Sequence, residues 1–123
     1  MSDKAEYKIK LCELEDLVLP DDLVQGEVET GGIYVDGAGK YKRGELLMSN
    51  SAKYFVKATE SGMSTADELC ILSEDLELDD DTIAQSVGYF FGAYNQNRII
   101  LPEGMTMTYE VSCILRKHGI YVK

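Results

Sequence analysis

The sequence predicts an α+β, β-rich fold: a small single domain of short strands and turns, with one C-terminal helix followed by a terminal strand. Three observations predict it. In residues 85–94, Val87, Tyr89, Phe91 and Ala93 alternate with Ser86, Gly88, Phe90 and Gly92, which is the two-residue period of a pleated strand rich in aromatic side chains. Eleven glycines stand against two prolines, so short elements should be joined by many tight turns. Met107, Val111, Ile114 and Leu115 recur at helical spacing ahead of Gly119, which leaves Ile120-Tyr121-Val122 as a closing strand. A chain of 123 residues, 45% hydrophobic and 28% charged, suits one globular domain, and a domain of that size hides roughly two-thirds of its unfolded surface.

Taken in order, residues 1–20 read as an N-terminal arm and residues 21–123 as the folded domain. Tyr7-Lys8-Ile9-Lys10-Leu11-Cys12 alternates apolar and mostly charged side chains, a strand pattern suited to pairing outside its own domain. Leu17-Val18-Leu19-Pro20 lies among acidic residues and ends at a proline that stops any regular element; it is expected to anchor the base of the arm. The glycines at 31, 32, 37, 39 and 44 predict turns around Ile33-Tyr34-Val35, with a hairpin signal at Asp36-Gly37. Strands are expected at 45–48, 54–58 and 69–72, a turn at 61–65, and an acidic loop closing at Asp79-Asp80-Asp81. After Leu101-Pro102-Glu103-Gly104, a helix is expected over 106–118, with threonine at its start and Gly119 as its left-handed stop.

The formal charge is -10, and no Lys or Arg lies between Lys57 and Arg98. Such a surface repels phosphate backbones, so direct nucleic-acid binding is not expected. There is no apolar run long enough to span a membrane and no secretory signal pattern, which predicts a chain made and kept in the cytosol. Cys12, Cys70 and Cys113 are odd in number and lack CxxC spacing, arguing against a disulfide framework or a zinc site. They read as reduced, mostly buried small hydrophobes.

Chemical motifs fall short when tested residue by residue. Gly37-Ala38-Gly39-Lys40 lacks the earlier glycine of a phosphate loop, since Tyr34 stands there, and Tyr41 replaces the needed Ser or Thr. Counted from Asp75, a calcium loop would need glycine at Asp80 and glutamate at Ser86. His118, the only histidine, lies about 140° around a helix from Cys113, so the two do not form a nucleophile and base. Lys117 shares a face with Cys113, but Val111 and Ile114 nearby favour a buried, inert thiol. No catalytic set, metal site or cofactor is expected.

Four segments in fixed order carry a different kind of signal: Arg43-Gly44-Glu45-Leu46-Leu47, Ile71-Leu72-Ser73-Glu74-Asp75, Gly92-Ala93-Tyr94-Asn95 and Leu115-Arg116-Lys117-His118-Gly119-Ile120. In order and spacing they resemble the phage lambda-type head decoration proteins. That family shows an Arg-Gly-hydrophobic turn, an Ile-Leu-x-Glu-Asp element, a Gly-x-aromatic-Asn strand end and a C-terminal Leu-Arg-x-x-Gly-Ile. The matches span residues 43–120 and leave residues 1–42 uncovered.

The resemblance implies the decoration-protein fold and a non-enzymatic, structural role. It implies a homotrimer on the outside of an expanded phage or prophage head, contacting the major capsid protein and holding the shell against internal DNA pressure. It also implies an N-terminal segment that adds to a capsid sheet, which assigns capsid contact to Tyr7, Ile9 and Leu11, and it gives the glycine turns and the Phe90-Phe91 strand to the trimer body. Arg116 is read either as pairing with an acid at a subunit boundary or as a solvent-facing cation. Two other classes stay open: a bacterial β-rich interaction module with no virion role, and a small enzyme working through Cys113 or tyrosines.

Overall fold

Two long strands organise the domain. The computed structural model describes residues 22–123; the expected strand at Tyr7 to Cys12 and the apolar piece at Leu17 to Pro20 lie outside the described residues. The long strands are β1 (Val24–Asp36) and β7 (Ile83–Tyr94), paired antiparallel over almost their whole lengths. Between them come β2 (Gly39–Tyr41), β3 (Leu46–Ser49), β4 (Phe55–Lys57), β5 (Leu69–Leu72) and β6 (Leu76–Leu78). After β7 come the helix α1 (Tyr109–Lys117) and β8 (Ile120–Val122).

The main sheet runs β1-β4-β3-β5-β7-β8, and because β7 also pairs with β1 the first five strands close into a ring. Closure on the β4 side rests on one parallel pair, Val35 with Phe55. β8 lies outside the ring, parallel to β7, with Ile120 opposite Gly92 and Val122 opposite Tyr94. The strands β2 and β6 form a separate two-stranded ribbon.

Strand alternation divides the apolar residues between two cores. Neighbours in a strand face opposite ways, so Leu47 and Cys70 point into one core while Leu46 and Ile71 point into the other. The first core contains Ile33, Val35, Leu47, Phe55, Cys70 and Leu72, packed by Ala84 and Phe90. All five ring strands contribute to it, which makes it the ring's interior, and Tyr41 and Leu78 from the ribbon plug it. The second core lies outside the ring, where Leu46, Leu69 and Ile71 meet Met63, Tyr94, Val111, Leu115 and Ile120. Both faces of β5 are therefore covered, which is why Leu69-Cys70-Ile71-Leu72 is an unbroken apolar run.

The β-rich reading with one helix and a terminal strand holds, with informative departures. Gly31 and Gly32 lie inside β1 rather than in turns. A Cβ on Gly31 would sit 3.1 Å from the Phe90 ring, so a small residue here makes room for an aromatic inside the ring. The Asp36-Gly37 turn is present, yet the strands on either side of it belong to different sheets, so it is a crossing point and not a hairpin. The helix begins at Tyr109 and not at 106, because Thr108 is extended and its hydroxyl accepts from the Val111 amide. Gly119 has φ +83, the expected left-handed stop.

On β7 the bulky face is not the buried one. Ser86, Gly88, Gly92 and Tyr94 are buried while Val87 and Phe91 are exposed. The ring's interior is too narrow for large side chains there: a Cβ on Gly88 would come 2.8 Å from Cys70 Sγ. A register shift between Glu29 and Thr30 then changes the alternation. Phe90 packs edge-on against Phe55 in the ring, with ring centres 5.8 Å apart, while Phe91 meets Tyr121 at the same spacing on the surface.

Candidate functional site

The first two motif segments form one node although some thirty residues separate them. The Arg43 amide donates to Asp75 Oδ1 at 2.8 Å, and Arg43 Nη1 donates to the Ser73 carbonyl and to Tyr89 Oη, both at 2.9 Å. The Gly44 amide donates to the Leu72 carbonyl, and the Leu72 amide donates to the Glu45 carbonyl, again both at 2.9 Å. Glu74 accepts from the buried Ser86 hydroxyl at 2.6 Å, tying the same turn to β7. Ile71 and Leu72 are fully buried on opposite faces of β5. Charge-assisted bonds of this kind are stronger than neutral ones, so the Arg43 side chain and the Asp75 carboxylate hold the β5–β6 turn against the start of β3.

The other two motifs meet along β7 and β8. The Gly92 amide donates to the Gly119 carbonyl at 3.0 Å, and Gly92 stands opposite Ile120. A Cβ on Gly92 would lie 2.7 Å from the Glu27 carbonyl oxygen, so β1 can pass this close only beside glycine. Leu115 and Ile120 are fully buried. Arg116 is exposed in the last helical turn, where a cation favours the helix dipole.

Asn95 does something the sequence did not signal: it belongs to a clasp on the first described residues, Asp22 and Leu23. Its amide donates to the Leu23 carbonyl at 2.8 Å, and its Nδ2 donates to Asp22 Oδ2 at 3.0 Å. Arg98 Nε donates to Asp22 Oδ1 at 2.8 Å. The Arg98 guanidinium holds the Asp22 carboxyl below its usual range. Leu23 is fully buried in the outer core. Residues 22 and 23 are thus tied to the segment that follows β7. A partner 76 positions away gives no local pattern, so only the fold reveals it.

Among the described residues the two thiols lie apart, Cys70 in the ring and Cys113 on the helix. Burial pushes the Cys70 thiol up to about 12, which keeps it protonated. Cys113 is half-buried on the helix, more open than a core cysteine. Burial also raises Tyr41, with the charges of Glu45 and Asp36 adding to it. Its hydroxyl donates to the Gly37 carbonyl at 2.6 Å, so it closes the ring's end as a structural plug. Lys57 lies 4.9 Å above the Tyr41 ring and 3.6 Å from Glu45, so its cation is held between a ring face and a carboxylate. Among the described residues no cluster of His, Cys, Asp and Glu is placed to hold a metal ion, and no helix is long and apolar enough to cross a membrane.

Tyr7, Ile9 and Leu11, to which capsid contact was assigned, lie outside the described residues. The chain matches no protein-family model and no curated protein sequence.

Proposed function

We propose that this chain is a non-enzymatic structural protein that decorates the outside of an expanded phage or prophage head as a trimer, binding the major capsid protein and reinforcing the shell. The observation that carries the reading is the ordered set of four motifs over residues 43–120, joined to a body whose polar contacts serve packing rather than chemistry. The arm supplies the grip. Tyr7, Ile9 and Leu11 present one face of an added strand to a capsid sheet, and the body to which they belong begins at Asp22, held by Asn95 and Arg98. Each added backbone hydrogen bond contributes only about 1 kcal/mol net. Three arms on one rigid trimer share a single docking event, so effective concentration multiplies a weak local grip.

The test is to mix the purified protein with expanded heads lacking their decoration layer and to measure bound copies and resistance of the heads to heat or chelator. Saturable binding with raised resistance is expected, and deletion of residues 1–12 should abolish it while leaving the body folded. A folded full-length chain that ignores such heads refutes the reading and favours a β-rich interaction module. Undiminished binding after the deletion refutes the role of the arm.

A further inference from the structure

One long strand edge of the body is uncovered. β1 pairs with β7 along one side, and on its other side the described residues supply a partner only at Val35, so the edge from Val24 to Tyr34 is open among them. Alternate residues of an antiparallel strand point their N–H and C=O groups away from the partner, and an uncovered row of such groups is a template for another strand. Glu27, Glu29, Thr30, Gly32 and Tyr34 are exposed along it.

The two faces beside this edge differ. On the outer wall stand Val28, half-buried against the outer core, then Thr30, Gly32 and Tyr34, and Gly32 offers no side chain to screen Val87 across from it, which is 41% exposed. The opposite face carries Glu29 and then Gly31 beside the Phe90 ring. β1 holds Glu27, Glu29 and Asp36 and no cation. Neither Glu27 nor Glu29 has an ion pair among the described residues.

Residues 7–12 have the complementary pattern. Tyr7, Ile9 and Leu11 alternate with Lys8 and Lys10, and no acid falls between Glu6 and Glu13. Laid antiparallel with Leu11 opposite Val28, the segment would put Ile9 opposite Thr30 and Tyr7 opposite Gly32, an aromatic beside an edge glycine, and would set Lys10 against Glu29. A slip of one residue would instead set lysine against Val28 and an apolar side chain against Glu29. The connection is long enough: residues 12–22 span up to about 35 Å, and Asp22 lies no more than about 20 Å along the strand from Val28. We infer that residues 7–12 add to the open edge of β1 in their own chain, with Tyr7 reaching Val87 across Gly32. This contact goes beyond the decoration reading and does not depend on it.

Cross-linking tests it. Directly opposed residues have Cα atoms about 4.5–5.5 Å apart, within disulfide reach. Full-length protein carrying Ile9→Cys and Thr30→Cys, with Cys12 and Cys113 changed to serine and only the buried Cys70 left, should therefore oxidise to a disulfide within one chain, seen as a single-chain band on a non-reducing gel with two thiols lost. Adding Lys8→Glu and Lys10→Glu should slow that oxidation at least about tenfold at low salt, and Glu27→Lys with Glu29→Lys on top should restore it. In the full chain with its native cysteines, amide hydrogens of residues 28–34 should exchange faster in the Lys8→Glu, Lys10→Glu variant by a similar factor. Disulfides that join two chains place another copy on the edge and overturn the inference; so does oxidation indifferent to the lysine charges, or equal exchange in the two proteins. Protein that forms the disulfide within one chain yet ignores decoration-free heads when reduced refutes the decoration reading and leaves this contact standing, whereas head binding with no such disulfide does the reverse.

Discussion

Replacing Gly44 by alanine strikes the node where two sequence segments meet the Arg98 backbone and Leu23. Gly44 has φ +97, a conformation that costs an L-residue about 1–2 kcal/mol. A Cβ there would lie 2.5 Å from the Arg98 carbonyl oxygen, a backbone atom that cannot rotate away. The segment is also pinned on both sides: the Gly44 amide donates to Leu72 and its carbonyl accepts from Ile100, each at 2.9 Å. Overpacking against such a frame costs about 1–3 kcal/mol, which brings the loss to about 3 kcal/mol as a central value. For a domain near this size, that lowers the melting temperature by roughly 12–24 °C. Gly104→Ala is the control, because φ is +86 but no atom lies within 4 Å of the added Cβ. It carries the conformational cost alone, partly offset by reduced freedom of the unfolded chain. Thermal and urea unfolding of the two variants measures the difference; equal losses would refute the steric argument at Gly44.

The Asp22 clasp should respond to pH. Its folded carboxyl titrates below the unfolded value of about 3.9, so the stabilisation is present above that value and drains as pH falls through the folded one. Asp22→Asn should therefore melt below wild type at pH 7, with the gap narrowing as pH falls below the unfolded value, and a gap of constant size contradicts the assignment. For Cys70 the shift runs upward, to about 12. A variant with Cys12 and Cys113 changed to serine should resist iodoacetamide at pH 8 while folded and react on addition of denaturant; modification of the folded protein at the rate of a free thiol shows that the ring opens.

The helix and its stop were legible because their signals are local: a threonine hydroxyl three residues before an amide, apolar residues a turn apart, and glycine where φ turns positive. The strand over 69–72 was legible from its unbroken apolar run, although the two cores that cover its faces were not. β6 was read as acidic loop, since its Leu76 and Leu78 find cover only after Gly39 and Tyr41 of β2 come alongside. Gly31 and Gly32 were read as turn formers for a related reason. A glycine needed to clear Phe90 across a ring looks the same in sequence as one needed for a turn. The contacts of the four segments were not visible in the sequence: Arg43 and Asp75 act on each other, and Asn95 on Asp22, across 32 and 73 positions.

Sequence by itself determined the β-rich class, the placement of most elements and the acidic character, because periodicity, turn chemistry and charge are properties of neighbours along the chain. Tertiary structure alone decided that five strands close into a ring, that the bulky side of β7 faces outward, and that Asp22 meets Arg98. Those outcomes depend on which distant segments exclude water together, and burial of that kind has no local signature.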